Sequence, residues 1–374
     1  MPTRFGKFVS GKHFSKFFLI LYVLFMCFAA YETNAAVCLL SNRNHCFGIP
    51  YILFALVGLP VIIKKKINSE RLCKIFKKPV CFLRCFLIYH SGSFLLWEMI
   101  CLIPSVSAEV KAVGVLASIG LCALIVLFGY MHTKNIHIKK YNISLGGNNE
   151  YRIALISDIH LGSFVNEKHV RRMVREINGT EPELVVISGD IFDVDNSMLT
   201  RPEELKRISK LLRQIKSKDG VYAVVGNHDP EVSDKAFGRF LKASKIRLLD
   251  NDAVVLSKLT LVGRTDEANN ERAPLADILQ KTDTGKPIVV LDHKPENIKD
   301  AAEHGVDLVL CGHTHRGQLF PITLFTKWAN GKNCFYGYSK NGNTHSIITS
   351  GVGFFELPVR IGTSNEIVEI KLKI

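Results

Sequence analysis

The chain has 374 residues and a formal net charge of +14, and 47% of its residues are hydrophobic. This apolar composition, with its positive mean hydropathy, argues against a wholly soluble protein, and the length exceeds one average domain. Apolar residues dominate up to Met131, and an ordinary globular mixture follows Lys134. We therefore predict a transmembrane region at residues 1–131, a basic linker at 132–149 and a globular domain at 150–374.

Four apolar stretches in the first region are predicted membrane helices, since roughly 20 apolar residues are needed to cross a bilayer as a helix. They lie at 17–36, 46–63, 80–104 and 112–131. Arg84, His90 and Glu98 interrupt the third stretch, so a buried or interfacial helix is an alternative interpretation of it. A cleaved signal peptide is the alternative for the first stretch. Its cleavage signal is poor and three apolar stretches follow, which favours a retained anchor.

Basic residues are distributed unevenly along this region. They crowd the N-terminus, residues 64–78 and residues 134–140, whereas the connections between these segments carry few. Cytoplasmic segments of membrane proteins hold the excess of lysine and arginine. With four spans, the distribution predicts a multi-pass integral membrane protein whose N-terminus and C-terminal domain face the cytoplasm. An odd number of spans would contradict this topology.

Strand and helix patterns alternate through the C-terminal domain. The predicted strands are 152–156, 184–187, 221–225, 288–291, 308–310, 346–350 and 367–372. The predicted helices are 167–177, 202–216, 232–243 and 296–303. Residues 254–256 and 259–262 flank Ser257-Lys258 as a hairpin would. Alternation followed by an antiparallel tail predicts an α/β fold of mixed sheets covered by helices.

Five polar blocks stand at or near the ends of predicted strands. They are Ser157-Asp158-Ile159-His160, Gly189-Asp190-Ile191-Phe192-Asp193, Gly226-Asn227-His228-Asp229, Asp292-His293-Lys294 and Gly312-His313-Thr314-His315. Mixed oxygen and nitrogen ligands suit Mn, Fe, Co or Zn rather than calcium. A carboxylate such as Asp190 can bridge two such ions, and a pair of ions roughly 3.5–4 Å apart holds a phosphoryl oxygen and activates water. One block alone is usually an ordinary exposed turn, but their joint occurrence favours a metal site.

These blocks together resemble the motifs of the calcineurin-like metallophosphoesterases. The family pattern runs Asp-x-His, Gly-Asp-x-x-Asp, Gly-Asn-His-Asp/Glu, His and Gly-His-x-His, and all five motifs occur here in that order. The resemblance covers roughly residues 150–374, and the segments 312–318 and 357–363 resemble the membrane-anchored bacterial-type branch. It implies a four-layer α/β/β/α sandwich, here preceded by a transmembrane helical region. In that fold two mixed sheets pack face to face with helices outside.

The resemblance also implies a centre of two divalent metal ions. The first ion would be held by Asp158, His160, Asp190 and His315. Asp190 would bridge to a second ion, whose other ligands would be Asn227, His293 and His313. A metal-bound hydroxide would then attack phosphorus in line, with both cations offsetting the developing charge.

Catalytic and substrate-binding roles follow from the same family pattern. His228 would stabilise the substrate phosphate or donate a proton to the leaving group, and Asp229 would orient its imidazole. Substrate contacts are predicted for Asn227, His228, Arg316 and Arg360. For both arginines a solvated or structural role is an equal alternative.

The predicted function is that of a membrane-bound, dimetal-dependent phosphodiesterase or phosphatase. Tethering to a lipid bilayer favours a lipid-linked phosphoester as the substrate. Membrane-adjacent lysines explain much of the positive charge, so no nucleic-acid partner is expected. The alternative is a membrane scaffold or sensor that uses the phosphoesterase fold for binding or regulation. No ligand of the family pattern is missing, which favours the enzyme.

Overall fold

The structure is a computed structural model that describes residues 12–41, 70–103, 106–193, 196–268, 271–282 and 285–374. It divides into two compact units, Met1–Phe128 and Gly129–Ile374. The predicted membrane stretch at 46–63 lies outside the described residues. The number of spans therefore stays a prediction.

Three long helices are described in the apolar part of the chain. They are α1 (Lys12–Ser41), α2 (Glu70–Ile100) and α3 (Ala108–His132). The predicted stretches 17–36 and 112–131 lie within helices, and the stretch 80–104 is helical as far as Ile100. Among the described residues, the segments Pro79–Ile100 and Ala108–His132 are long and apolar enough to cross a membrane.

Charged side chains of the three helices form one ion cluster in the first unit. The Lys111 ammonium of α3 lies 3.4 Å from a carboxylate oxygen of Glu32 in α1 and 3.2 Å from one of Glu98 in α2. Trp97 donates a hydrogen bond from its indole to the carbonyl of Lys111 at 3.1 Å. Glu98, which interrupts an apolar stretch of the sequence, therefore has a cation partner that offsets the cost of its charge.

Two six-stranded sheets form the second unit. The first contains β1 (Ile136–Ser144), β2 (Glu150–Ile156), β3 (Leu184–Ser188), β4 (Val221–Val224), β5 (Ile246–Leu248) and β12 (Asn365–Lys373), in the order β1-β12-β2-β3-β4-β5. The second contains β6 (Asp252–Val255), β7 (Thr260–Gly263), β8 (Ile288–Leu291), β9 (Leu308–Cys311), β10 (Gly337–Asn341) and β11 (Thr344–Ile348), in the order β10-β11-β9-β8-β7-β6. The pairs β12–β2, β10–β11 and β6–β7 are antiparallel and the others parallel. Both sheets are thus mixed, as predicted.

Helices cover the outer faces of both sheets. Those on the first sheet are α4 (Glu167–Gly179), α5 (Pro202–Leu212) and α6 (Lys235–Ser244). Those on the second are α7 (Leu275–Gln280) and α8 (Ile298–Glu303), and a further helix, α9, spans Ile322–Asn330. Successive side chains of a strand point to opposite faces, so Leu155 packs between the two sheets while Ile156 packs under the helices. The predicted four-layer α/β/β/α sandwich is confirmed.

The predicted basic linker at 132–149 needs correction, because half of it, residues 136–144, is the edge strand β1. This strand pairs in parallel with β12 from Ile136 opposite Asn365 to Ser144 opposite Lys373. Ile143 is buried, while Lys139 and Lys140 are exposed. Lysines are common on edge strands because they discourage pairing with other chains. The charge that suggested a linker therefore belongs to the solvent side of an edge strand.

Other differences concern the ends of elements and four elements that the patterns did not indicate. Helix α6 begins at Lys235 rather than at residue 232, because the Asp234 side chain caps it by accepting from the backbone N–H groups of Ala236 and Phe237. Helix α5 ends at Leu212 instead of residue 216. Strands β5 and β10 and helices α7 and α9 were not predicted.

Candidate metal centre

The loops that follow β2, β3, β4, β8 and β9 meet at one edge of the sandwich. Two hydrogen bonds join the two sheets there. Ser188 at the end of β3 donates from its hydroxyl to the carbonyl of Leu310 in β9 at 3.1 Å, and its own carbonyl lies 2.7 Å from Nδ1 of His293 after β8. The predicted ligands from both sheets are therefore presented at one place.

Most of the predicted ligands have a left-handed backbone. The φ angles are 54° at Asp158, 51° at His160, 52° at Asp190, 69° at His313 and 48° at His315. Non-glycine residues rarely take positive φ, although Asn, Asp and His do so more readily than others. Each such residue costs on the order of 1–3 kcal/mol, and such strain clusters at functional sites. The strained turns point these side chains inward from the strand ends.

Asp158, His160 and His315 form the first cluster. The Nε2 atoms of His160 and His315 are 3.1 Å apart, and Nε2 of His315 lies 3.3 Å from Oδ1 of Asp158. Nε2 of His160 lies 3.9 Å from the same oxygen. All three residues are buried, and one ligand atom from each lies within 4.8 Å of the others.

Asp190 lies between this cluster and a second one. Its Oδ2 is 3.7 Å from Nε2 of His160 and 3.2 Å from Nε2 of His293. Nδ1 of His313 in turn lies 3.3 Å from Nε2 of His293. The other oxygen of Asp190 accepts from the backbone N–H of His228 at 3.0 Å, which fixes the carboxylate. One oxygen atom of Asp190 thus faces both groups of imidazoles.

The residue next to Asp190 in space has to be a glycine. A β-carbon on Gly226 would lie 2.2 Å from Oδ1 and 2.5 Å from the backbone nitrogen of Asp190. Gly226 thus allows the loop after β4 to reach Asp190, and it places Asn227 beside the second cluster.

Two buried oxygens of the site accept no hydrogen bond among the described residues. They are Oδ1 of Asp158 and Oδ1 of Asn227. A buried acceptor without a partner costs roughly 1–3 kcal/mol, and a cation at each cluster would satisfy both. His293 is suited to the same task, because its Nδ1 contacts the Ser188 carbonyl and its Nε2 faces the cluster. The residues present therefore fit a pair of divalent cations.

The protonation states of two predicted ligands, His160 and His313, agree with this fit. Burial lowers the pKa of His160 and of His313 to about 4, which keeps both imidazoles in the neutral form that binds a metal. Burial also disfavours a charged His293, but the Asp190 carboxylate outweighs it and raises the pKa of His293 to about 10. Although burial acts in the opposite direction, His293 holds the pKa of Asp190 well below its usual value. A bound cation would replace the proton on His293 as the partner of Asp190.

The structure corrects the predicted role of Asp229. Its two carboxylate oxygens accept from the backbone N–H groups of Phe192 at 2.9 Å and Gly226 at 2.8 Å. Burial, with the nearby charge of Asp190, raises the pKa of Asp229 to about 7. Among the described residues neither oxygen bonds to the imidazole of His228, so Asp229 joins two ligand-bearing loops rather than orienting that imidazole.

The ring of His228 instead stacks on an aromatic residue. Its centroid lies 5.5 Å from that of Phe355, with 26° between the ring planes, and 5.7 Å from that of His160. The sequence did not single out Phe355, because it stands in a loop without periodicity. Only its place in the aromatic pair Phe354-Phe355 between Gly353 and a charged residue could have drawn attention to it.

Arg360 is placed differently from its prediction. Its side chain is fully buried and donates to the backbone carbonyls of Gly353 and Ser350, each at 2.7 Å. It therefore holds the loop before it and does not face a substrate. The guanidinium of Arg316 lies over the ring of Tyr336, 4.5 Å from the centroid, and its contact with substrate stays a prediction.

A cavity of about 370 Å³ opens beside the clusters. It is lined by Asp190, His228, His313, Thr314, His315, Gly317, Gln318, Leu319, Ile322, Phe355, Glu356 and Leu357. Gln318 holds one wall in place, because its amide donates to the carbonyls of Phe355 and Leu357 and accepts from the N–H of Phe355. The cavity brings the imidazole of His228 and the ligands to one accessible surface.

Comparisons with known proteins agree with this geometry. Residues 151–317 match the family described as calcineurin-like phosphoesterase. An uncharacterized metallophosphoesterase of Helicobacter pylori is 34% identical over 229 residues, which are 60% of this chain and 60% of that protein. A transmembrane protein with metallophosphoesterase domain from Danio rerio is 34% identical over 254 residues, 64% of this chain and 56% of that protein. An uncharacterized metallophosphoesterase of Aquifex aeolicus is 27% identical over 268 residues, 68% of this chain and 98% of that protein. The chain spans about 60% of the length of the first two relatives.

Proposed function

We propose that the C-terminal domain of this chain, whose residues 151–317 match the calcineurin-like phosphoesterase family, is a membrane-bound phosphoester hydrolase that uses two divalent cations. The observation that carries the proposal is the position of Asp190 Oδ2, which faces His160 on one side and His293 on the other. Buried imidazoles and carboxylates from both sheets surround it. Such a set suits Mn, Fe, Co or Zn.

The predicted ligands divide between the two cations around this oxygen. One cation would be held by Asp158, His160, Asp190 and His315. The other would be held by Asp190, Asn227, His293 and His313. When bound, such cations lower the pKa of coordinated water and stabilise negative charge on phosphoryl oxygens.

The residues around the cations have separate tasks. His228 lines the cavity and can hold a proton beside the leaving group of a phosphoester. Phe355 stacks on the imidazole ring of His228 and keeps that ring in position. Asp229 joins the loops that carry Asp190 and Asn227, so that both ligands are held before the substrate arrives.

The proposal places this chemistry at a membrane. Two apolar helices of sufficient length and relatives named as transmembrane proteins support the association. The proposal includes the predicted multi-pass topology with the catalytic domain on the cytoplasmic side, which rests on the distribution of basic residues. A lipid-linked phosphoester and the bilayer itself are the proposed partners, and nucleic acid is not among them.

Hydrolysis of simple aryl phosphoesters tests the proposal. Manganese-loaded full-length protein in detergent is expected to hydrolyse bis(4-nitrophenyl) phosphate or 4-nitrophenyl phosphate. Asp190→Asn should lower the metal-stimulated rate at least about 100-fold, because the shared ligand is lost. The matched control is Asp277→Asn, an exposed carboxylate of α7, which should retain the rate. Full activity in metal-stripped protein or in Asp190→Asn would sink the proposal and favour the scaffold or sensor alternative.

A further inference from the structure

Helix α9 and the residue two positions before it carry a group of exposed apolar side chains, here called the α9 apolar face. It consists of Phe320, Ile322, Leu324, Phe325 and Trp328, which are between 38 and 65% exposed. No residue of α9 is buried. Five large apolar side chains exposed within nine positions form a contiguous patch of a kind that usually marks an interaction site.

The polar side of α9 is the side that contacts the protein. Thr323 and Thr326 are its half-buried residues, and both lie against the turn at Gly317. A β-carbon at residue 317 would be 2.7 Å from the Cα of Thr323 and 2.8 Å from the hydroxyl of Thr326. A helix on the surface of a soluble domain normally packs its apolar side on the core and exposes its polar side. The reversed orientation of α9 indicates an apolar environment outside the domain.

The α9 apolar face adjoins the mouth of the candidate active site. Ile322, the first residue of α9, and Leu319 line the same cavity as Asp190 and His228. A molecule held on this face therefore lies next to the proposed metal ligands.

The same face lies one chain segment away from the end of a candidate membrane span. The backbone N–H of Phe320 donates to the carbonyl of Ile361 at 2.8 Å. The neighbouring N–H of Arg360 donates at 3.2 Å to the carbonyl of Gly129, in the last turn of α3. Residues 360 and 361 thus connect the start of the apolar face with the point where α3 leaves its apolar stretch.

The charge of this region suits an anionic lipid surface. No aspartate or glutamate occurs between Asp307 and Glu356, and the basic residues in that interval are Arg316, Lys327, Lys332 and Lys340. Helices that lie in the interface of a bilayer combine Trp, Phe and Leu on one side with Lys or Arg on the other. Each lysine or arginine near an anionic membrane adds about 1 kcal/mol of attraction.

We infer that the α9 apolar face inserts into the interface of the bilayer and that the adjoining site takes a phosphoester carried on the headgroup of a lipid. The inference rests on the proposed phosphoester hydrolase and assigns a surface by which its proposed lipid-linked substrate is reached. The bilayer is the occupant of the face, because the reversed helix, the adjacent end of α3 and the excess of basic residues all point to it. Substrate then reaches the cavity laterally from the same leaflet.

Tryptophan fluorescence tests the membrane contact without reference to activity. The chain has two tryptophans, so Trp97→Phe leaves Trp328 as the single reporter. In liposomes of anionic lipid, we expect a blue-shifted emission from Trp328 that is quenched by lipids brominated on their acyl chains. The matched control adds Trp328→Phe and Val255→Trp, which moves the reporter to an exposed position on β6. No quenching is expected there.

Kinetics on two substrates test the substrate class. Phe325→Ser combined with Trp328→Ser should lower hydrolysis of a vesicle-borne lipid with a 4-nitrophenyl phosphodiester headgroup by about tenfold, because apolar contact with the interface is lost. Hydrolysis of soluble bis(4-nitrophenyl) phosphate should be unchanged, since neither side chain lines the cavity. Val255→Ser serves as the control for loss of an exposed apolar side chain and should alter neither rate.

The outcomes separate this inference from the proposed function. Absence of quenching at Trp328, or equal rates of wild type and the double variant on the vesicle-borne lipid, would overturn the inference. If the Trp328 emission changes with protein concentration but not with brominated lipid, the α9 apolar face binds a second copy of the chain. That result would also overturn the inference. Quenching without hydrolysis of either substrate would support the membrane contact and refute the proposed hydrolase.

Discussion

At the scale of single residues, the candidate metal centre concentrates backbone strain and buried charge on a few side chains. His160 and His315 both have positive φ, and their Nε2 atoms are only 3.1 Å apart. Positive φ at these histidines is unfavourable by itself, so the surrounding loops must impose it. Asp229 and Arg360 do this by bonding to the backbone, whereas His228 is left beside the cavity. Positioning and chemistry are therefore divided between different residues.

This division predicts opposite effects for two substitutions in adjacent residues. Asp229→Asn replaces one acceptor oxygen with an N–H₂ group that faces a backbone N–H donor, so we expect a loss of roughly 1–3 kcal/mol of stability. His228→Ala should leave the melting temperature unchanged and lower metal-stimulated hydrolysis at least about 100-fold. Thermal unfolding and rates on an aryl phosphoester measure the two effects. An unchanged melting temperature in Asp229→Asn would contradict the role of Asp229 in joining the loops. The exposed His304, changed to alanine, is the control for loss of a histidine.

At the scale of elements, β1 shows how the C-terminal domain begins inside a segment that reads as a linker. The strand follows α3 after three residues and pairs with β12, so the chain passes from a candidate membrane helix directly into a sheet. Ile143 packs into the core between the sheets. A linker would lie outside the fold, whereas a paired strand makes this segment part of the folded C-terminal domain.

Substitution of Ile143 distinguishes a strand from a linker. Ile143→Ala should destabilise the domain by about 2–5 kcal/mol because it opens a cavity in the core. For a domain of this size that lowers the melting temperature by roughly 4–20 °C. Asn142→Ala, on the exposed side of the same strand, should change stability by less than about 0.5 kcal/mol. Equal melting temperatures for the two variants would mean that β1 does not pack as described.

At the scale of the whole molecule, the proposed cations couple metal binding to folding. The ligands come from loops after five strands in two sheets, so a cation that binds them stabilises both sheets together. A ligand that binds only the folded state stabilises it by about 2.7 kcal/mol at 100 times its dissociation constant. Oδ1 of Asp158 and Oδ1 of Asn227, which have no hydrogen-bond donor in the part of the chain that the structure describes, make this coupling stronger.

Metal removal should therefore lower the melting temperature of the C-terminal domain. If the metal concentration is about 100 times the dissociation constant of each proposed site, chelation is expected to lower the melting temperature by roughly 10–20 °C. The difference in melting temperature between chelated and manganese-loaded protein should be smaller in Asp190→Asn, because the shared ligand is lost. Scanning calorimetry of the detergent-solubilised protein measures it. Identical curves with and without metal would argue against a metal centre.

Local patterns in the sequence predicted much of the fold and the candidate site. Runs of apolar residues bounded by polar blocks indicated the strands of both sheets, because a strand buried on both faces reads as a continuous apolar run. The order of the polar blocks indicated the ligands, since parallel strands present their following loops at one edge. These features depend on neighbours in sequence, and for that reason they could be read without a structure.

Only the tertiary structure decided the roles that depend on distant partners. Asp229 bonds to the backbone of Phe192, 37 residues away, and its own neighbourhood in sequence suggested a partner for His228 instead. Phe355 and Arg360 acquire their roles from loops that pack beside the ligands. The reversed orientation of α9 likewise depends on its contact with Gly317. The physical reason is the same for each of these residues. The role of a side chain depends on what it contacts, and folding brings those contacts together from separate parts of the chain.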